Sequence, residues 1–265
     1  MPKLGLGLSL PKARASATSF DPDALTYIAA VEAADGQALE FGVKKAINTF
    51  VVGCKTDNIW SAIKASCILA GARTLNGALV PLAGVAPTPV SFSSGDYSRT
   101  LGLLGDGATK YLNSNRNNNA DPQNSKHLSV YCTSSQTRDA TRALIATQTG
   151  SGGSLISSTT ASVLFRMNYS GAPSSLVYSG VLTGFISMAR LNSSTVLYRA
   201  VGNNGLSTNT STAPLNTNIY VFANTSLSAI SNARISFYSI GEYINQTLFD
   251  SRITTLMSNI LSALS

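Results

Sequence analysis

Charge is what this sequence has least of. Charged residues make up 12% of its 265 positions, about half the ~25% of an ordinary globular protein. Its polar surface must therefore be built from Ser, Thr and Asn. That composition suits a sandwich of short strands or an assembled, fibre-like protein better than a freely soluble helical enzyme. Histidine is nearly missing too. His127 is the single one, so a Ser-His-Asp triad would have to use it, and no G-x-S-x-G elbow supports one. Carboxylates are absent from the whole stretch between Asp139 and Glu242, and no E-x-D-x-x-E pattern occurs anywhere. Glycoside hydrolysis needs two carboxyl groups flanking the scissile bond, so a hydrolase on such a scaffold is not expected. The three cysteines, Cys54, Cys67 and Cys132, contain no C-x-x-C pair, which argues against a zinc site and for buried, reduced thiols. No apolar run approaches the ~18 residues of a membrane span.

What charge there is leans basic, at net +7. The basic residues are scattered, and the densest group is Lys3, Lys12 and Arg14. Without a track of alternating basic and aromatic residues, docking on an acidic protein face is expected rather than nucleic-acid binding. The first 17 residues loosely imitate a signal peptide, but Pro11, Lys12 and Arg14 interrupt the approach to any cleavage site. Residues 1–19 are read as a flexible basic arm for attachment. Asp96, Asp106, Asp121 and the asparagines at 117–119 carry the oxygen ligands calcium prefers, but such residues also stabilise turns unaided. No metal or cofactor is expected. The glycines at 102, 105 and 107 mark a turn and not a phosphate cradle, because no long helix with a lysine follows.

Three textures follow the arm. Asp21-Pro22-Asp23 is a helix start, with an acidic cap and an early proline. A second helix is expected over residues 37–52, with Leu39, Val43, Ile47 and Val51 as its buried stripe and Gly53 as its end. Trp60 and Ile63 complete a small helical segment at 20–63, with Trp60 as a core anchor. From residue 64 the chain reads as strand, turn, strand. Residues 101–104 and 109–112, separated by Gly105-Asp106-Gly107, predict a hairpin. Residues 113–125 predict an Asn-rich loop. Residues 127–133 alternate, with Leu128, Val130 and Cys132 on one face. Further strands are expected at 162–168, 175–178, 184–190, 195–201, 218–223 and 233–240. From Asn245 onward an amphipathic helix closes the chain. Many short strands at this spacing mean a sandwich or a barrel.

With catalytic chemistry scarce, a binding surface remains. Tyr169, Tyr178, Tyr198, Tyr220 and the Asn203-Asn204-Gly205 loop offer the aromatic and amide groups that neutral sugars use. The same tyrosines would serve equally as strand or subunit-interface residues.

The run Leu103-Leu104-Gly105-Asp106-Gly107-Ala108-Thr109-Lys110-Tyr111-Leu112 resembles the early hairpin of concanavalin A-like and laminin-G-like domains. His127-Leu128-Ser129-Val130-Tyr131 resembles the strand after it, and Ser236-Phe237-Tyr238-Ser239-Ile240-Gly241 their closing strand. Over residues 21–265 the chain is similar to structural proteins of phages infecting cyanobacteria. The segments that carry this likeness are Phe50-Val51-Val52-Gly53-Cys54-Lys55 with Ile59-Trp60, Ala70-Gly71-Ala72-Arg73-Thr74-Leu75, and the run NSNRNNNADPQ.

The resemblance implies a mainly β, concanavalin A-like jelly-roll sandwich at 64–265, preceded by the helical layer and arm and closed by the C-terminal helix. It implies a non-enzymatic virion protein, a tail-fibre or tail-appendage component with host-surface glycan as a partner. The alternatives are a capsid decoration protein that clasps the capsid by its arm, and a polysaccharide-degrading enzyme. Expected partners are other virion proteins and further copies of the chain, with a trimer as one symmetric form, and neither nucleic acid nor membrane. The expected location is the particle surface after assembly in the host cytoplasm.

Overall fold

The computed structural model describes residues 19–134, 140–147, 150–178 and 180–265. Lys3, Lys12 and Arg14, and with them the expected arm up to residue 18, lie outside the described residues. The helices are α1 (Pro22–Asp35), α2 (Phe41–Thr56), the one-turn α3 (Leu75–Ala78) and α4 (Gln246–Leu264). The strands are β1 (Ile63–Ile68), β2 (Thr88–Val90), β3 (Tyr97–Ser98), β4 (Gly102–Leu104), β5 (Tyr111–Asn117), β6 (Lys126–Ser134), β7 (Arg142–Ala146), β8 (Ser154–Ser158), β9 (Ser162–Met167), β10 (Ser174–Val177), β11 (Gly184–Arg190), β12 (Thr195–Ala200), β13 (Asn203–Thr208), β14 (Asn218–Val221) and β15 (Arg234–Gly241).

The strands form two antiparallel sheets. The first runs β13-β12-β11-β6-β15-β4-β3, with β1 also on β15; the second runs β10-β9-β8-β7-β14-β5-β2. The fold is a jelly-roll-like sandwich with a helical layer on one face. Two cores hold the layers together. Between the sheets lie Leu128, Val130, Cys132, Ile156, Phe165, Ile186 and Tyr238. Over the outer face of the first sheet, α1, α2 and α4 bury Phe50, Val51, Phe185, Phe237, Phe249 and Ile253. Strand alternation makes both possible. Along β15, Phe237 and Ser239 face the helices while Tyr238 and Ile240 face the second sheet. Where α4 starts, the helix-facing positions are small. Ser187, Ser129 and Ser239 stand side by side across β11, β6 and β15. Ser129 Oγ donates to Ser187 Oγ at 2.8 Å, and Gln246 of α4 donates to the same oxygen at 3.0 Å.

The first helix starts as read. The Asp21 carboxylate accepts the Asp23 N–H at 2.9 Å, and Gly36 closes the helix at φ 65°. The second helix differs. It begins at Phe41 and runs through Gly53 to Thr56, while Leu39 is buried ahead of it. Gly53 is not a terminator. A Cβ there would lie 2.9 Å from the Arg252 side chain of α4, which passes this point to reach Asp57 at 2.7 Å. Trp60 packs against the helical core but is only partly buried: its Nε1 donates to Asp23 at 3.1 Å and the Lys55 ammonium sits 6.0 Å from its ring centre. Ile63 begins β1 instead of ending the helical segment.

The hairpin expected around Gly105-Asp106-Gly107 is a crossover between sheets. β4 belongs to the first sheet and β5 to the second. Asp106 organises the bend by accepting the N–H groups of Ala108, Thr109 and Lys110 at 2.8–3.0 Å. The segment read as an Asn-rich loop supplies most of β5. Its inward positions, Leu112 and Ser114, are buried, and its outward asparagines bond to neighbours, as Asn218 does to Asn113 at 3.2 Å. Asn203-Asn204-Gly205 is also strand, at the free edge of the first sheet, where an edge tolerates Asn and Gly. Strands β7 and β8 carried no alternation because their residues are buried on both faces. All three cysteines are buried and free, and burial pushes each thiol up to about 12.

Candidate binding groove

The hairpin of β12 and β13 turns at Val201 and Gly202, with φ 48° and 83°. Positive φ suits the glycine and strains the β-branched valine. This tight turn fixes the register so that Leu197 faces Leu206 and Arg199 faces Asn204. Those four side chains point away from the second sheet, and Arg199 reaches α4 at Asp250. Between them and the helix lies a groove of about 240 Å³, lined among others by Leu197, Asn204, Gly205, Tyr243, Asn245 and Thr247.

Each polar group there is oriented from behind. Arg199 Nη1 donates to Asn204 Oδ1 at 2.7 Å and to the Gly202 carbonyl at 3.2 Å, while Arg199 Nε pairs with Asp250 of α4 at 2.7 Å. Asn245 caps α4, its Oδ1 accepting the N–H groups of Thr247 and Leu248 at 3.1 and 3.2 Å. Both asparagines thus spend their amide oxygens on the protein. Among the described residues, their amide N–H donors and the Tyr243 hydroxyl have no protein partner. The groove therefore offers donors, a phenol and the apolar Leu197 side chain, and its lining holds no charged residue.

Of the four tyrosines singled out from the sequence, Tyr198 alone lines this site. Tyr169 is 1% exposed, and its hydroxyl reaches the Phe165 and Ala172 carbonyls at 3.1 and 3.2 Å. It is a buried fastener for the turn after β9 and is removed as a surface contact. Tyr198 is 8% exposed and stacks on Phe165 with ring centres 4.7 Å apart, so it belongs to the inter-sheet core and only edges the groove. Tyr178 is half-buried and donates to the Val181 carbonyl at 3.2 Å. Tyr220 stacks on Tyr111 at 4.9 Å on the outward face of the second sheet, across the sandwich from the groove. Asn203 is exposed on the opposite side of the edge strand from Asn204. Sequence reading missed Tyr243, Asn245 and Thr247 as site residues. The helix-cap signal at Asn245 was visible, but nothing local placed it beside Asn204.

Among the described residues, the carboxylates are engaged. Eleven of the twelve carboxylates are described, Asp139 being outside. Asp35 accepts the Arg73 and Thr74 N–H groups, Asp106 serves its own loop, and the other nine pair with Lys or Arg at 2.5–2.8 Å. Among the described residues no cluster of three His, Cys, Asp or Glu stands ready for a metal, and no helix is long and apolar enough to cross a membrane. A second cavity, about 400 Å³, opens between β6, β11 and α4, lined by Tyr131, Thr133, Thr254, Met257 and Leu261.

His127 is fully buried under α4, one ring nitrogen at the Glu242 carbonyl and the other 2.8 Å from Ser239 Oγ. Burial pushes the imidazole down to about 4. An unfolded histidine takes up a proton near 6.5. Below that value the unfolded chain gains a proton that the folded one refuses until about pH 4. This histidine's contribution to stability is therefore fully present above pH 6.5 and is lost between 6.5 and 4, by about 3 kcal/mol in all. Urea unfolding across this range measures it. In His127→Asn the slope between pH 6.5 and 5 is expected to vanish; persistence of the slope would assign it to other groups.

No protein-family model matches the chain, and no curated protein matches it in sequence. Solved structures do match in shape. The binding domain of botulinum neurotoxin serotype D superposes with a TM-score of 0.51 at 12% identity, over 73% of this chain and 50% of that one. A botulinum neurotoxin D ligand binding domain in complex with N-acetylneuraminic acid gives 0.47 at 11% identity, over 73% and 50%. The enzymatically active domain of bacteriophage CBA120 tailspike protein 2 gives 0.42 at 10%, over 66% and 30%. The chain spans about half the length of the neurotoxin domains it matches. At such identities the likeness is one of architecture, and what the chain shares with these domains is the β-sandwich fold.

Proposed function

We propose that this chain is a non-enzymatic, glycan-binding sandwich displayed on a bacteriophage particle. The observation that carries the binding function is the groove beside α4. Three separate segments, 197–205, 243 and 245–247, converge there to present amide and phenol groups with an apolar wall, the combination by which a site grips a sugar's hydroxyls and its C–H face. The absence of an enzyme role rests on the carboxylates: a glycosidase acid must be free to hold and give a proton, and the described ones are engaged in ion pairs or loop amides. The phage setting rests on the sequence resemblance and on the low-charge surface suited to close assembly. Exposed side chains such as Phe41 (68%) and Val177 (79%) supply apolar contact for other virion proteins or further copies.

Calorimetric titration of the full chain with neutral mono- and disaccharides tests the binding role. Saturable binding is expected. Asn204→Ala should weaken it about tenfold, the worth of roughly one well-made hydrogen bond with its orientation, and leave the unfolding midpoint unchanged because Asn204 is exposed. Absence of binding across the panel would refute the proposal. Localising the labelled protein in intact particles then separates a tail appendage from a capsid lattice.

A further inference from the structure

We infer that the groove selects uncharged sugars and rejects acidic ones, with the Arg199–Asp250 pair as the determinant; this rests on the proposed glycan-binding role. The lining contains no lysine, arginine or histidine. Arg199, the cation bonded to Asn204, spends its Nε and Nη1 on the protein. Its guanidinium pairs with Asp250 at 2.7 Å, holds Asn204 at 2.7 Å and reaches the Gly202 carbonyl at 3.2 Å, and both members of the ion pair are largely shielded, at 14% and 16% side-chain exposure. The other source of positive potential is the start of α4. It is closed by a neutral group, since Asn245 Oδ1 already accepts from Thr247 and Leu248 and the Asn245 carbonyl accepts from Phe249 at 3.0 Å.

An acidic sugar entering here would give up water around its carboxylate and find no counter-charge, a costly exchange. It would also bring that carboxylate toward Asp250. A neutral sugar pays no such penalty. Its hydroxyl and ring oxygens accept from Asn204, Asn245 and Tyr243. Arg199 is accordingly a positioning residue. It orients Asn204, and Asp250 keeps its charge from acting on the ligand.

The isosteric Asp250→Asn exposes this division of labour. An amide oxygen at that position still accepts from Arg199 and keeps the side chain in place, but the guanidinium charge is no longer neutralised. Saturation-transfer NMR and calorimetry on the full chain would compare methyl mannoside, N-acetylglucosamine and lactose with N-acetylneuraminic acid and glucuronic acid. In the unaltered chain, binding is expected from the neutral set alone and is weakened about tenfold in Asn204→Ala. In Asp250→Asn, an acidic sugar is expected to bind at least tenfold more tightly than in the unaltered chain, with added salt weakening it. Acidic-sugar binding to the unaltered chain that weakens in the same way in Asn204→Ala would overturn the selectivity while leaving the glycan-binding role standing. Neutral-sugar binding indifferent to Asn204→Ala would overturn the groove as the site. Failure of every sugar would overturn the binding role and this inference with it.

Discussion

Replacing Phe249 with alanine is expected to remove about 3–5 kcal/mol of folding free energy, the cost of deleting a fully enclosed ring. Phe249 is 0% exposed on the first turns of α4. Its ring meets those of Phe185, His127, Phe237 and Phe50 at centre distances of 5.8, 5.8, 5.9 and 6.4 Å. It therefore joins α4 to α2 and to three strands of the first sheet at one point. The row of serines beside it offers no bulk to collapse into the space a missing ring would leave, so the cavity term should be near the upper end of its range. The loss has a functional consequence, because the same first turns carry Asn245 and Thr247 into the groove. On the proposed binding role, Phe249→Ala should weaken sugar binding along with stability, whereas Phe249→Leu should recover most of both. Denaturant unfolding at constant m-value measures the change. Phe41→Ala is the control: that ring is 68% exposed, and its removal is expected to stay within about 0.5 kcal/mol. A loss below about 1 kcal/mol for Phe249→Ala would mean that α4 is not firmly seated on the sheet.

Arg190→Met is expected to cost about 3 kcal/mol, for a different reason. Arg190 is 0% exposed at the end of β11. Its Nε and Nη2 donate to the Met167 carbonyl at the end of β9, and its Nη1 reaches the carbonyls of Asn209, Asn192 and Ser193 at 3.1, 3.3 and 3.4 Å. One guanidinium thus clips the two sheets to each other and to the following turns. Two effects compete on substitution. Removing a buried cation relieves its desolvation, and relieves repulsion of Lys126, which is paired with Arg190 across β6 and β11 and is held down to about 8 chiefly by burial. Against that, several carbonyls lose their donors, at about 1–3 kcal/mol for each that water cannot reach. Met167, itself 0% exposed, is the carbonyl most isolated from water, so the loss of donors should win. Arg190→Lys keeps the charge and loses the planar fork. If geometry governs, it should be nearly as harmful as methionine. If methionine proves neutral or stabilising, desolvation outweighs the clip, as happens with some buried ion pairs.

Local chemistry was readable wherever it acts over a few residues. Asp21-Pro22 opened α1, and Asn245 opened α4. β6, β9, β11, β12 and β15 lay within a residue or two of their expected ends, because alternate residues of each supply side chains to the inter-sheet core, as Leu128, Val130 and Cys132 do in β6. The readings that failed involve distant partners. Gly53 looked like a stop, yet it makes room for a side chain from α4. Gly105-Asp106-Gly107 looked like a hairpin, yet the strands on its two sides join different sheets. β5 was hidden because its asparagines find partners on β14 and neighbouring loops that local propensity does not reveal.

The sequence by itself determined that the molecule is built of many short strands with a helical layer and a closing helix. It also determined that charged residues and histidine would be few, since residue counts and periodicity do not depend on how the chain folds back. Only the tertiary structure decided which of the candidate tyrosines and asparagines face solvent together. Alternation says that two residues share a face, but not what covers that face. Tyr169 and Tyr198 were drawn into packing, while Asn204 was set beside Tyr243 and Asn245. That meeting depends on α4 packing over the first sheet and on Arg199 reaching Asp250, contacts between positions some 51 residues apart that no local pattern encodes.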